Sequence, residues 1–190
     1  MTVMPSVIPH GRPFTVDDLE GMPDDGNRYE LIDGTLLVSP APNWPHQEMG
    51  LTLYVQLRER CPADLRVLAA PFAVQTAVDS EVQPDVLVAR YGDLTEKNLP
   101  IAPVLAVEVL PRSTSLIDRN LKRAHYERIG VPYYWILDPA GDGALTAFAN
   151  EGGGYAQVAR VVGDEPFVAR EPFPVTVVPA RLLDGLRPST

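Results

Sequence analysis

The 190-residue chain has a single cysteine, Cys61, which excludes an internal disulfide and any zinc site built on cysteine thiolates. Lysine is nearly absent: of the 16 basic residues only Lys97 and Lys122 are lysines, and the other 14 are arginines. No stretch approaches the roughly 20 apolar residues of a membrane span. The opening "MTVMPSVIPHGRP" has no basic start followed by an apolar run, so neither secretion nor membrane insertion is expected, and the cytoplasm is the expected location. Positive charge is also short. A formal net charge of -9 describes an exterior that on average repels polyanions, whereas nucleic-acid binders usually carry a basic patch. Any role with nucleic acid has to rest on a local groove.

Apolar residues make up 45% of the chain, enough for one domain with a real core at this length. We expect 1–190 to form a single domain, with a loose proline-containing arm over 1–13, a core from about 28 to 139 and C-terminal strands from about 144 to 178. "TVDDLEGM" reads as a short helix with a capping box from Thr15 to Asp18. In "RYELIDGTLLVSP", Asp33-Gly34 lies between two apolar-rich runs, a strong signal for a hairpin with a type I′ turn. "HQEMGLTLYVQLRERC" places Met49, Leu53, Tyr54 and Leu57 at helical spacing, and Pro62 ends it.

Strands are expected at "LRVLAAPFAVQT" (65–76), with a bulge or edge at Pro71, then at "PDVLVAR" (84–90) and "VLAVEVL" (104–110). "STSLIDRNLKRAHYERIGVP" has a full set of helix boundaries: a Ser115–Asp118 capping box, Gly130 past the end and Pro132 beyond it. "YYWILD" (133–138) resumes as a buried strand, and this strand–helix–strand unit suits a right-handed parallel crossover. "ALTAFAN", "YAQVARVV" and "PVTVV" read as further antiparallel strands. The fold class is mixed α/β with a central sheet.

One residue conflicts with this pattern. Glu108 interrupts the apolar run of "VLAVEVL", and an ionised carboxylate in a dry sheet costs several kcal/mol unless a cation or a metal pairs with it. Strand alternation puts Glu108 on a face with Ala106 and Leu110, and Leu105, Val107 and Val109 on the other. Asp85, after Pro84 at the start of the preceding strand, can bring a second carboxylate to the same sheet end. Oxygen ligands of this kind suit magnesium or manganese, although structural ion pairs bury carboxylates too. Lys122, on the helix directly after the Glu108 strand, can reach back to the same place as a compact cation; an i,i+4 surface pair with Asp118 is the ordinary alternative.

"YELIDGTLLVSPAPNWPHQ", "QPDVLVAR" and "LAVEVLPRSTSLIDRNLKRAHYERIGVPYYWILDP" together resemble the Uma family of restriction-endonuclease-like proteins, a branch of the PD-(D/E)XK nuclease superfamily. The resemblance runs from about Arg28 to Pro139 and more weakly into the C-terminal strands. It implies a restriction-endonuclease-like mixed central sheet flanked by helices, with additional antiparallel strands at both ends. Asp85 and Glu108 match the metal-binding carboxylates, and the Val109 carbonyl would be a further ligand. Leu110 stands where the superfamily motif has lysine; this branch is similar in placing a lysine on the following helix, a position Lys122 fits. Glu30 looks like the extra N-terminal acid of many members. Arg112 replaces the proline of the usual "EVLSPST", adding a cation that could meet phosphate.

The implied activity is magnesium- or manganese-dependent hydrolysis of phosphodiester bonds in DNA by a homodimer, with catalytic Asp85, Glu108, Lys122 and Glu30. Arg112, Arg119 and Arg123 would form the lip of the groove. Two other classes are weighed beside it: a catalytically inactive nuclease-fold binding module, favoured by the acidity and by Leu110, and a metal-dependent phosphoesterase acting on small molecules. His46 is read as a helix-start residue and His125 as a packed or exposed one. Trp135, Tyr133 and Tyr134 are read as core, and Asp138 as a strand-ending turn residue.

Overall fold

The computed structural model describes residues 11–110 and 116–186, without the side chains of 116–119 and 186. Most of the expected arm, Arg112, the Arg119 side chain and the Ser115–Asp118 cap lie outside the described residues.

The first helix, α1 (Val16–Leu19), is capped as its sequence predicts: the Asp18 carboxylate accepts from the Thr15 amide at 2.8 Å and from its hydroxyl at 3.1 Å. A hairpin of β1 (Arg28–Ile32) and β2 (Thr35–Ser39) follows. Its turn residues Asp33 and Gly34 have φ values of 49° and 72°, the two positive angles that a type I′ turn demands. Pro13 packs so closely on Gly34 that a β-carbon there would collide with its ring. Gly34→Ala is therefore expected to destabilise the protein by about 1–3 kcal/mol, from left-handed strain together with that collision. Urea unfolding reads this as a lower midpoint, and an unchanged midpoint would refute it.

Helix α2 (Trp44–Arg60) begins two residues before the stretch expected from His46, because Asn43 caps it by accepting from the His46 amide at 3.1 Å. Next come β3 (Leu65–Ala69), β4 (Ala73–Ala77), β5 (Ser80–Val82), β6 (Val86–Arg90), β7 (Asn98–Leu99) and β8 (Leu105–Val109). The remaining α-helix and strands are α3 (Leu116–Arg128), β9 (Tyr133–Asp138), β10 (Ala144–Asn150), β11 (Tyr155–Val162), β12 (Phe167–Ala169) and β13 (Val175–Val177), and 3-10 turns lie at Tyr91–Asp93 and Pro179–Leu186.

The single strand expected over 65–76 is in fact two, β3 and β4, and they belong to different sheets. The break falls at Ala70–Pro71–Phe72, where proline cannot donate to a ladder. The Ala70 amide still reaches the Asp85 carbonyl at 3.1 Å, so β3 pairs with its neighbour up to the proline and no further.

The main sheet has the order β11-β10-β9-β8-β6-β3, antiparallel except for the parallel pair β8–β9 that α3 connects. A second sheet runs β2-β1-β5-β4-β7, and β12 pairs with β13. The end of α3 is closed by the Gly130 amide on the Glu127 carbonyl at 3.1 Å and the Val131 amide on the Tyr126 carbonyl at 2.9 Å. With Gly130 at φ 82°, this is a Schellman end.

Alternation along β8 sorts its side chains between two apolar layers. Leu105, Val107 and Val109 join Met49, Leu53 and Leu57 of α2, whereas Ala106 joins Tyr126 of α3 and Ile32, Val74 and Val82 of the second sheet. Glu108 thereby faces α3 and the second sheet. Among the described residues, no helix is long and apolar enough to cross a membrane.

Candidate active site

Strands β6 and β8 are antiparallel, with Val86 across from Val107. One further step of that register brings Asp85 beside Glu108 at one end of the main sheet. The Val109 amide donates to Asp85 Oδ2 at 2.8 Å, pinning the first carboxylate to the strand that bears the second. Both are buried, at 8% and 9% exposure.

The second sheet reaches the same place. Arg28 and Glu30, two residues apart on β1, point to one face. The Gln83 main chain holds both, its amide donating to Glu30 Oε1 at 2.7 Å and its carbonyl accepting from Arg28 at 3.2 Å. Helix α2 contributes His46, and α3 contributes Lys122 and Tyr126.

The ammonium of Lys122 lies 2.8 Å from Glu30 Oε2 and 3.2 Å from each oxygen of Glu108. The Tyr126 hydroxyl donates to Glu108 Oε1 at 2.7 Å. Asp85 is clamped separately: Arg28 donates to Oδ1 at 2.9 Å, and His46 Nε2 lies 3.1 Å from Oδ2. Three carboxylates thus face two permanent cations, Arg28 and Lys122, and His46 lies against Asp85.

Electrostatics separates the acids. Burial pushes the Glu108 carboxyl up to about 7; Lys122 opposes the rise, while Asp85 and Glu30 add to it. Burial also acts upward on Asp85, but the hydrogen bond and charge of His46, with Arg28 and Lys122 behind them, bring it down to about 2. For Lys122 burial acts downward and is outweighed by Glu108, Glu30 and Asp85, so its pKa lies above the usual lysine range. Lys122 is therefore a fixed cation at neutral pH: it can donate to a water or a phosphate oxygen but cannot abstract a proton.

The residues singled out from the sequence, Asp85, Glu108, Lys122 and Glu30, stand together, and Val109 meets them through its amide. Of the two partners weighed for Lys122, Glu108 is in contact and the Asp118 side chain is outside the described residues. His46, read as a helix-start residue, also packs against Asp85. Arg28, Tyr126 and the Gln83 main chain were not foreseen. The only hint for Arg28 is its i,i+2 spacing from Glu30, which on a strand implies a shared face. Trp135 and Tyr134 are buried core residues, His125 is buried against Arg128, and Asp138 ends its strand by accepting from the Ala140 amide at 2.9 Å.

Among the described residues, no three His, Cys, Asp or Glu side chains are arranged to cage a metal by themselves. The pair nevertheless suits a hard cation that keeps several waters, because such ions bind through one or two carboxylates. Asp85 Oδ1 and Glu108 Oε2 each have one hydrogen-bonding partner among the described residues, Arg28 and Lys122, which leaves an acceptor lone pair on each oxygen.

Comparison with known proteins bears on the family and the fold. Residues 16–181 match the Uma2 family model, described as "Putative restriction endonuclease". Solved structures that match include one titled as "a putative nuclease belonging to DUF820" from Anabaena variabilis, with a TM-score of 0.65 and 18% identity over 84% of this chain and 90% of that one. That likeness supports the restriction-endonuclease-like fold, with its mixed sheet flanked by helices. No curated protein matches the chain.

Proposed function

The chain belongs to the Uma2 family of restriction-endonuclease-like proteins, and from that premise we propose that it hydrolyses phosphodiester bonds of DNA with a divalent cation, magnesium or manganese. The observation that carries this reading is the buried Asp85–Glu108 pair at one sheet end with the Lys122 ammonium 3.2 Å from Glu108. Asp85 and Glu108, with the Val109 carbonyl, would hold the ion. A divalent ion there supplies polarisation of the scissile phosphate and a lowered pKa for bound water.

The chain's own side chains do the rest. Lys122 offers a preorganised positive charge to the oxygens on which negative charge grows, and it can orient the attacking water by donating to it. Glu30 holds Lys122 in place through its 2.8 Å contact. Arg28 and His46 fix the Asp85 carboxylate, and Tyr126 does the same for Glu108. Cutting both strands of a duplex calls for two such sites, which a homodimer would supply.

The test is cleavage of plasmid, single-stranded DNA, RNA and a nitrophenyl phosphodiester with magnesium or manganese, using wild type and Glu108→Ala purified in parallel. Cutting of DNA by the wild type, lost in the variant and in EDTA, is expected. Turnover of the small ester with no cutting of polymers would point to a phosphoesterase instead. One observation favours a catalytically inactive module: every carboxylate of the cluster already has a cationic protein partner. That reading requires silence on all substrates and no change in melting temperature on adding metal.

A further inference from the structure

The face of the main sheet that carries Glu108 continues past the ion cluster as a partly open shelf. Glu108 on β8 is paired with Ile136 on β9, Ile136 with Thr146 on β10, and Thr146 with Arg160 on β11. Residues directly across a ladder share a face, so one row of side chains runs from Glu108 to Arg160. Three inter-strand steps make its length roughly 14 Å.

Helix α3 walls this shelf with Asn120 and Arg123, the latter adjacent in sequence to Lys122. Asn120, Arg123, Leu110, Ile136, Thr146 and Arg160 line one cavity of about 240 Å³. Arg123 is already positioned: its guanidinium sits 4.3 Å over the Phe148 ring and donates to the Tyr155 carbonyl at 3.4 Å. Arg160 is exposed. Among the described residues neither arginine is ion-paired with a carboxylate. Asp138 lines the same cavity, so two guanidinium groups face one carboxylate, a local positive excess on a chain of net charge -9.

We propose that this shelf is the track of the nucleic-acid strand as it leaves the Asp85–Glu108 site, with Arg123 and Arg160 holding its backbone phosphates. The inference rests on the nuclease reading. A mononucleotide phosphate has the same chemistry, but the row is about four stacked nucleotides long at about 3.4 Å each, which suits a polymer. The arginines act by positioning the strand and touch no reacting atom.

The experiment is fluorescence anisotropy of a labelled single-stranded DNA oligonucleotide in EDTA over a salt series. It compares wild type, Arg160→Gln, Arg123→Gln/Arg160→Gln and Arg160→Lys, each checked for an unchanged fold by circular dichroism. Losing one phosphate contact on a single strand should reduce the slope of log K against log salt by about 0.7, and losing both by about 1.4, with affinity falling roughly tenfold or more; Arg160→Lys should keep the wild-type slope. Arg160→Gln alters only an exposed side chain, so it still decides the matter if the double variant does not fold. Wild-type affinity and slope in Arg160→Gln would overturn the proposal, as would weaker binding with an unchanged slope. A mononucleotide that bound as tightly as the oligonucleotide, with the same arginine dependence, would also overturn it.

Binding and cutting are read separately, so the two failures can be told apart. Arginine-dependent binding without cleavage would sink the nuclease reading and keep the track, and cleavage with unaltered slopes would do the reverse.

Discussion

Glu108→Gln is expected to melt higher than wild type in EDTA above pH 7 while losing at least about 100-fold in cleavage when metal is present. The two effects share one cause. Burial, with Asp85 and Glu30 nearby, raises the folded-state pKa of Glu108 to about 7 from its ordinary 4.5. Between those values the native state binds more protons than the unfolded state, so wild-type stability falls as pH rises through the window and the loss is complete above it. A neutral amide removes that loss. It leaves Lys122 paired with Glu30 and Asp85 with its own clamp, for a gain on the order of 2 kcal/mol above pH 7. The measurement is melting temperature against pH from 4 to 9 for both proteins in chelator. Parallel curves, or a variant that melts lower at pH 8, would contradict this. A variant that melts higher means that stability has been spent on the acid for the sake of the reaction, a trade known at other active sites.

Removing the cation should act in the opposite direction. Lys122→Met leaves Glu30 and Glu108 as buried carboxylates facing each other without an ammonium between them, and breaking a buried pair by removing one partner costs about 3–5 kcal/mol. The loss should be largest near pH 8 and shrink toward pH 5, as Glu108, raised by burial, takes up a proton. Chemical denaturation at the two pH values measures it. The variant Glu30→Gln/Lys122→Met/Glu108→Gln should recover most of the stability, because no charge is then left unpaired, but none of the cleavage. Equal destabilisation in Lys122→Met and in the triple variant would mean that Lys122 acts through packing of its apolar stem.

Parts of the fold were legible because local chemistry decides them. The Asp33-Gly34 turn needs two positive φ values, and no tertiary contact is required to see it. Gly130 marks the end of α3, and the alternation along β8 assigns Glu108 to the opposite face from Val107. The break at Pro71 was only half legible. An unbroken apolar-rich pattern reads as one bent strand, and nothing local says that the second half leaves for another sheet.

The candidate site follows the same division. Its acids and lysine were recognisable as misfits or through a family resemblance, since a carboxylate inside a strand stands out against its neighbours. The groups that hold them were not. Arg28 lies 57 positions from Asp85 along the chain, and Gln83 lies 53 from Glu30. His46 begins a helix like many other histidines, and its contact exists only because α2 packs beneath the end of β6. Pairings at such separations belong to the topology, which periodicity does not encode. The row from Glu108 to Arg160 is likewise a product of strand register.

Gln83 ties β1 to the end of β6 through its main chain alone, and that bears on how the protein acquires activity. The first apolar layer forms without the hairpin, whereas the second includes its Ile32, and the ion cluster closes only when the hairpin docks across more than fifty residues. Contacts of such long separation carry the largest loop-closure entropy and reward folding late. A chain with the hairpin undocked would keep the first apolar layer, lose Ile32 from the second and have no functional cluster. Competence is then conferred by the last docking event, and a brief local opening at the hairpin withdraws it without unfolding the rest.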